Sequence, residues 1–199
     1  MMQDQVSRVG EDLITAAKLM ESEWDDSREF AFRFFQESFD EDDFSPEILV
    51  AICDSVRADV QAFGRRLLMI HFQSEQAMDY LIKLSEHPAE GMQLFVSSFI
   101  ERTIAEEPSR LQDLDFFYRC VLNKVNRGRI CKQRIMSMLT AQALQDANQA
   151  AYVADLFSAI SASISVEMRA ACIKAMVQIR KAYPDVGTAL QLKEMAHAL

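Results

Sequence analysis

The cysteines and histidines, whose side chains could hold a metal ion or act as nucleophiles, are widely spaced in this sequence. No two cysteines form a Cys-x-x-Cys pair, and no histidine lies at metal-ligand spacing from one of them. Each cysteine lies in an apolar stretch of helical character, which is typical of a buried, reduced thiol. The sequence therefore predicts no catalytic residue, no metal site and no cofactor site among Cys53, Cys120, Cys131, Cys172, His71, His87 and His197.

A short acidic run, Asp40–Asp43, lies between Phe39 and Phe44. Calcium prefers clustered carboxylate oxygens, so a calcium site is one interpretation of this run. The run lacks both the glycine and the terminal glutamate of an EF-hand loop. A solvated loop without a metal ion is therefore the prediction.

A basic cluster lies within residues 116–145, a segment with six basic side chains and no Asp or Glu. Its members are Arg119, Lys124, Arg127, Arg129, Lys132 and Arg134. Lys124 and Arg127 follow one predicted helix, where cations complement the helix dipole. Arg129 and Lys132 begin the next helix, where the dipole is already positive and an anionic partner would be favourable. A solvated corner, a contact with an acidic protein and a contact with nucleic acid are the three interpretations.

Charge is distributed unevenly along the chain. Residues 1–60 carry 16 acidic and 5 basic side chains, a balance of −11, whereas residues 61–199 carry 14 acidic and 16 basic ones, a balance of +2. Together they give the net charge of −9. Because tight binding to a polyanion needs many phosphate contacts, this charge argues against a nucleic-acid partner. An acidic N-terminal part and a basic cluster on one chain also predict salt-sensitive self-association.

Composition and periodicity predict an all-α fold. The chain has 5 Gly and 4 Pro, too few for the turns of a many-stranded sheet, and no segment alternates with period two. No apolar run approaches a membrane span and no leader peptide opens the chain, so we expect a soluble, cytoplasmic protein without membrane contact. Prolines, Gly128 and the capping serines Ser45, Ser74, Ser109 and Ser165 delimit about eleven helices. These are 3–20, 27–38, 46–54, 58–72, 75–86, 90–104, 111–125, 128–144, 147–161, 165–182 and 188–198.

An internal repeat connects several of these helices. One six-residue pattern begins at Phe30, Phe63 and Phe95, at spacings of 33 and 32. It consists of an aromatic residue, a small or branched residue, two variable positions and two large apolar residues. The preceding helices agree, since residues 48–54 align with residues 80–86 at the same offset of 32. A pair of antiparallel helices cannot bury its apolar faces alone, so successive pairs must stack. The repeat predicts an α-solenoid whose core includes Phe30, Phe34, Phe63, Leu67, Leu81, Leu84, Phe95 and Phe99.

Residues 54–68 resemble a HEAT-type repeat, with an acidic turn residue, a valine near the start of the second helix and a small residue in its middle. The stretch Trp24–Phe35 and the turn Leu84–Pro88 are similar to HEAT-like segments of large bacterial proteins. The period is shorter than the roughly 40 to 47 residues of HEAT and armadillo units, but tetratricopeptide and ankyrin signatures are absent. The resemblance implies a single HEAT-like α-solenoid domain over residues 1–199, with an N-terminal cap (1–26), repeats (27–182) and a C-terminal cap helix (183–199).

The resemblance also implies a non-catalytic scaffold that presents a curved helical surface to another macromolecule. In a solenoid the second helices of successive pairs tend to form the inner wall. The partner-binding residues predicted on this wall are Arg65, Arg66, Arg102, Arg127, Arg129, Lys132 and Arg134. Guanidinium groups pair with carboxylates, so the expected partner is another protein or an acidic peptide.

An enzyme is the alternative: a HEAT-like nucleic-acid-binding or DNA-repair protein. It would need an aromatic ring and a carboxylate close to the basic cluster. Trp24 and Asp25 are the candidates, but they lie about a hundred residues from that cluster in the sequence.

Overall fold

The computed structural model describes residues 12–39, 43–71, 77–163 and 165–190, and these residues form helices and connecting loops without any strand. Ten α-helices and two 3-10 helices lie in the described ranges. The α-helices are α1 (Leu13–Ala17), α2 (Asp25–Ser38), α3 (Pro46–Cys53), α4 (Ala58–His71), α5 (Ala77–Ser85), α6 (Glu90–Glu106), α7 (Asp115–Asn123), α8 (Arg129–Ala143), α9 (Ala147–Ile160) and α10 (Val166–Ala182). The 3-10 helices are Lys18–Glu21 and Pro108–Leu111.

The all-α prediction is confirmed, and most predicted helix bounds lie within a few residues of the observed ones. The count differs, since ten α-helices are described where about eleven were predicted. The last predicted helix, 188–198, is not helical over 188–190, and its remainder lies outside the described residues. The predicted cap Ser109 is wrong, because it lies inside the 3-10 helix Pro108–Leu111 and the following α-helix begins at Asp115.

The chain divides into two compact units, Met1–His87 and Pro88–Leu199, here called the first and the second unit. The single-domain organisation inferred from the sequence stays a prediction. No helix in the described part of the chain is both long and apolar enough to span a membrane.

The first unit has its own apolar core. Helix α3 packs against α1, α4 and α5. Phe35 of α2 and Phe63 of α4 are fully buried in this core, and Leu67, Leu81 and Leu84 are buried as predicted.

The prediction that Phe30 belongs to the core is wrong, because its side chain is 57% exposed. The buried face of α2 passes through Ala31 and Phe35, four residues apart, and Phe30 lies beside that face. Its ring stacks on the half-buried Phe34, with centroids 5.9 Å apart.

The second unit is built around α9. This helix packs against both α8 and α10, and α8 also packs against α6. Two small residues of α9, Ala150 and Ala154, are fully buried beside larger ones such as Leu156 and Phe157. Phe99 of α6 is buried as predicted, whereas Phe95 is half-buried. Because α8 and α10 both rest on α9, they lie side by side and flank a groove.

Candidate binding groove

A groove of about 930 Å³ lies between α8 and α10. On the α8 side it is lined by Asn126, Arg127, Arg129, Lys132, Gln133, Met136, Ser137, Thr140, Ala141 and Leu144. On the α10 side it is lined by Ser165, Glu167, Met168, Ala171, Lys174, Ala175 and Gln178.

The lining residues follow one face of each helix. On α8 they recur every three or four residues from Arg129 to Thr140, and on α10 they do the same from Glu167 to Gln178. At a rise of about 1.5 Å per residue, the α8 stretch from Arg129 to Leu144 is about 22 Å long. The groove therefore runs along most of the length of both helices.

The floor of the groove is apolar. Met136, Met168 and Ala175 are buried there, and Ala171 contributes a small side chain that leaves space. Leu144, at the end of α8, is 41% exposed. Methionine is unbranched and polarizable, so it adapts to apolar groups of different shapes. This floor can accept apolar side chains of a ligand.

The rim of the groove is basic. Arg127, Arg129, Lys132 and Lys174 contribute four positive charges, and Glu167 contributes one negative charge. The net charge of the rim is +3, whereas that of the chain is −9. A local potential opposite in sign to the overall charge favours an acidic ligand at this groove.

The turn before α8 positions the basic residues. Asn126 and Gly128 both have left-handed backbone conformations, with φ of 62° and 63°, which glycine adopts without strain and asparagine tolerates. The side-chain oxygen of buried Gln93, on α6, accepts a hydrogen bond of 3.1 Å from the Ile130 N–H. One of the otherwise unpaired amides at the start of α8 is thereby satisfied by a distant residue.

Lys132 has a local partner that the sequence does not indicate. Its Nζ donates a hydrogen bond of 2.8 Å to the main-chain oxygen of Lys124, the C-cap residue that follows α7. The negative end of the α7 dipole therefore offsets the repulsion from the positive end of α8. Arg129 lies at the same helix start and is exposed.

The other predicted binding residues do not line this groove. Arg134 pairs instead with Glu101 of α6 and donates to the Ser98 hydroxyl at 3.2 Å. Arg102 lies over the ring of Phe99, and Arg66 lies over the ring of Phe63 in the first unit, where Arg65 is also found. Three of the seven predicted residues, Arg127, Arg129 and Lys132, thus come together in the groove.

Sequence reasoning missed the α10 wall of the groove. Glu167, Lys174 and Met168 lie more than thirty residues beyond the basic cluster, and they join it because α8 and α10 pack on the same helix. The spacing of Glu167, Ala171, Lys174 and Gln178 along one helix face is a signal, but it is also typical of an ordinary solvated face.

The prediction of buried thiols is confirmed for three of the four cysteines, and Cys120 is the exception. All four are free thiols, with Cys53, Cys131 and Cys172 buried and Cys120 half-buried. Burial raises the pKa of Cys53 and of Cys131 to about 12 and that of Cys172 to about 11.

Of the three histidines, only His87 has a side chain that the structure describes. His87 is buried, and its Nε2 lies 2.9 Å from Oδ1 of Asp54. Within the described residues, no group of three or more Cys, His, Asp or Glu side chains could hold a metal ion. His71 and His197 have side chains outside the described part, as does most of the acidic run, residues 40–42.

The chain matches no protein-family model, and no curated protein and no solved structure is significantly similar to it.

Proposed function

We propose that the chain is a non-catalytic protein–protein interaction scaffold whose α8–α10 groove binds an acidic segment of a partner protein. One observation carries the proposal: an apolar floor and a rim of charge +3 run together along two helices of a chain whose net charge is −9. The four free thiols are compatible with a reducing compartment, and a cytoplasmic location is part of the proposal.

The proposed architecture is a HEAT-like α-solenoid with irregular repeats. Helix packing in the second unit supports this, because α6, α8 and α10 contact one another in succession while α7 contacts α9. Consecutive helices from α7 to α10 also pack together. Contacts between helices that are adjacent or next but one in the chain are typical of stacked helix pairs. The residues 54–68 that resemble a HEAT repeat lie in the first unit.

The ligand that fits best is an amphipathic helix with acidic residues beside its apolar face. Such helices lie lengthwise in apolar grooves and present anchors at positions i, i+3, i+4 and i+7. A helix of about 14 residues is about 21 Å long, which matches the length of the groove walls. Its carboxylates would pair with Arg127, Arg129 and Lys174 on the rim.

The alternative, a HEAT-like nucleic-acid-binding or DNA-repair enzyme, has less support. Among its described lining residues the groove has one carboxylate, Glu167, and no aromatic ring to stack on a base. Trp24 lies in the first unit, whereas the basic cluster lies in the second.

A labelled peptide tests the proposed function. Fluorescence polarisation would measure binding of an acidic amphipathic helix made of Glu, Ala and Leu, beside a peptide with Lys in place of Glu and a random DNA duplex. We expect the acidic peptide to bind, the basic peptide not to bind, and affinity to fall with added salt. Tighter binding of the duplex than of the acidic peptide would favour the alternative.

Variants locate the binding site. The double variant Arg129→Glu with Lys174→Glu reverses two rim charges, and it should weaken peptide binding at least about tenfold, or about 1.4 kcal/mol. The double variant Arg169→Glu with Lys181→Glu is the matched control, because both residues are exposed on α10 and neither lines the groove. Equal losses in the two proteins would mean that the peptide responds to overall charge, and the groove would not be the site.

A further inference from the structure

The exposed face of α2 is acidic and aromatic. Asp26, Glu29, Phe30, Arg33 and Glu37 are all exposed, and their spacing places them on one side of the helix. Glu23 and Trp24 are exposed just before the helix. We call these seven residues the α2 stripe.

The α2 stripe exposes two of the largest apolar side chains in the chain. Trp24 is 76% exposed and Phe30 is 57% exposed. Exposed aromatic side chains surrounded by charged residues are typical of surfaces that contact another protein. Burying each ring in an interface would remove a large apolar area from water.

The α2 stripe complements the α8–α10 groove in charge, in length and in chemistry. The stripe has four acidic residues and one basic residue, a net charge of −3, and the groove rim has +3. The 14 residues of α2 span about 21 Å, and the α8 wall of the groove has a similar length of about 22 Å. The ring of Phe30 suits a floor that contains Met136 and Met168, since sulfur and aromatic groups contact favourably.

We propose that the α2 stripe of one copy of this chain occupies the α8–α10 groove of a second copy. The proposal rests on the proposed function, because it names the acidic helix that the groove takes. The contact is heterologous, since the two surfaces differ. A heterologous contact leaves a free stripe on one copy and a free groove on the other, so further copies can add to form rings or open chains.

Two variants test the stripe and the groove independently. The stripe variant, Asp26→Lys with Glu29→Lys, reverses the stripe and keeps the groove, whereas the groove variant, Arg129→Glu with Lys174→Glu, does the opposite. All four positions are exposed, so both variants should fold, and circular dichroism melts will check this. Glu106→Lys, at an exposed position of α6, is the control for a change in overall charge.

Sedimentation velocity measures the assembly at about 0.1 M and about 1 M NaCl, where the Debye length falls from about 10 Å to about 3 Å. We expect the unchanged protein and the Glu106→Lys control to associate at low salt and to dissociate at high salt. Each double variant alone should be monomeric, with its self-association weakened at least about tenfold. A mixture of the two variants should associate again, because the intact stripe of the groove variant can meet the intact groove of the stripe variant.

Three outcomes would overturn the proposal. The first is that the unchanged protein is a monomer at low salt and high protein concentration. The second is that either variant associates as strongly as the unchanged protein. The third is that the mixture of variants stays monomeric although the unchanged protein associates. If the acidic Glu, Ala and Leu peptide still binds the groove in those cases, the proposed function stands and only self-association is lost. If the peptide fails as well, both proposals fail together.

Discussion

The main chain of Gly64 lies so close to Cys53 that a Cβ atom added to the glycine would come within 2.8 Å of the Cys53 sulfur. The same Cβ would be 3.0 Å from the main-chain nitrogen of Cys53 and 3.0 Å from Cγ2 of Ile52. Helices α3 and α4 therefore approach each other closely at this point, and a glycine permits the approach.

Gly64→Ala should destabilise the first unit. The extra methyl meets backbone, which cannot move aside as a flexible side chain can, so the cost should be about 1–3 kcal/mol. Urea unfolding followed by circular dichroism measures the change in free energy of unfolding. Gly187→Ala is the control, because no atom lies within 4 Å of an added Cβ there. An unchanged urea midpoint for Gly64→Ala would contradict this close packing.

The small or branched position of the internal repeat is buried in every copy, whereas the aromatic position before it is not. The small or branched residue of each repeat, Ala31, Gly64 or Val96, is buried in all three cases. The preceding aromatic is buried at Phe63, half-buried at Phe95 and exposed at Phe30. Periodicity identifies the centre of a buried helix face, but the width of that face depends on the neighbouring helix, which a single sequence does not describe.

Only part of the α8–α10 groove could be predicted from the sequence, because its other residues come together through helix packing. Arg127, Arg129 and Lys132 are recognisable because they lie in a segment without Asp or Glu. Lys174 and Glu167 join them only through helix packing. The hydrogen bond from Ile130 to Gln93 spans 37 residues, so no local capping signal could indicate it.

Replacing either of two tyrosines near the α7–α9 contact with phenylalanine should change the free energy of unfolding, but in opposite directions. The Tyr118 hydroxyl is buried and has no hydrogen-bond partner in the described residues, whereas the Tyr152 hydroxyl donates to Oδ1 of Asp115 at 3.0 Å. Tyr118→Phe removes an unpaired polar group and should stabilise the protein by about 1 kcal/mol. Tyr152→Phe removes a hydrogen bond to a carboxylate and should destabilise it by about 1–2 kcal/mol.

Thermal and urea unfolding of the two tyrosine variants measures both signs, and each variant serves as the control for the other. A loss of stability in both would mean that the Tyr118 hydroxyl has a partner, such as a buried water molecule.

The four thiols should react with a disulfide reagent at two different rates. Burial raises the pKa of Cys53, Cys131 and Cys172, so almost none of each is present as the reactive thiolate near pH 8. Cys120 is half-buried and should react first. Titration with an aromatic disulfide reagent should count one fast thiol per native chain and four after unfolding. Cys120→Ser should remove the fast thiol, and a second fast thiol in the native protein would contradict the burial.

The stability of the first unit depends on pH through the carboxylate of Asp59, which also pairs with the buried guanidinium of Arg28. The Arg28 Nε lies 3.2 Å from Oδ2 of Asp59, its Nη1 donates to the Ser22 carbonyl oxygen at 2.7 Å, and its Nη2 pairs with Asp25. Burial raises the pKa of Asp59, but hydrogen bonds from the Val60 N–H and from Arg57 outweigh it, so the pKa is lowered overall.

A carboxyl group with a lower pKa in the folded state contributes stability that is fully present above its unfolded pKa of about 4. The contribution is lost as the pH falls through the folded pKa, because both states are then protonated. Asp59→Asn should therefore lower the free energy of unfolding at pH 7, by at most about 1 kcal/mol because the carboxylate is partly exposed. At strongly acidic pH the variant and the unchanged protein should be equally stable.

Urea unfolding of both proteins at several pH values measures this convergence. Asp113→Asn, at an exposed carboxylate in the second unit with no ion pair to any described residue, is the control and should change stability little at any pH. If the difference caused by Asp59→Asn is the same at neutral and strongly acidic pH, then its origin is packing and not charge. The Asp59 carboxylate would then contribute no pH-dependent stability to the first unit.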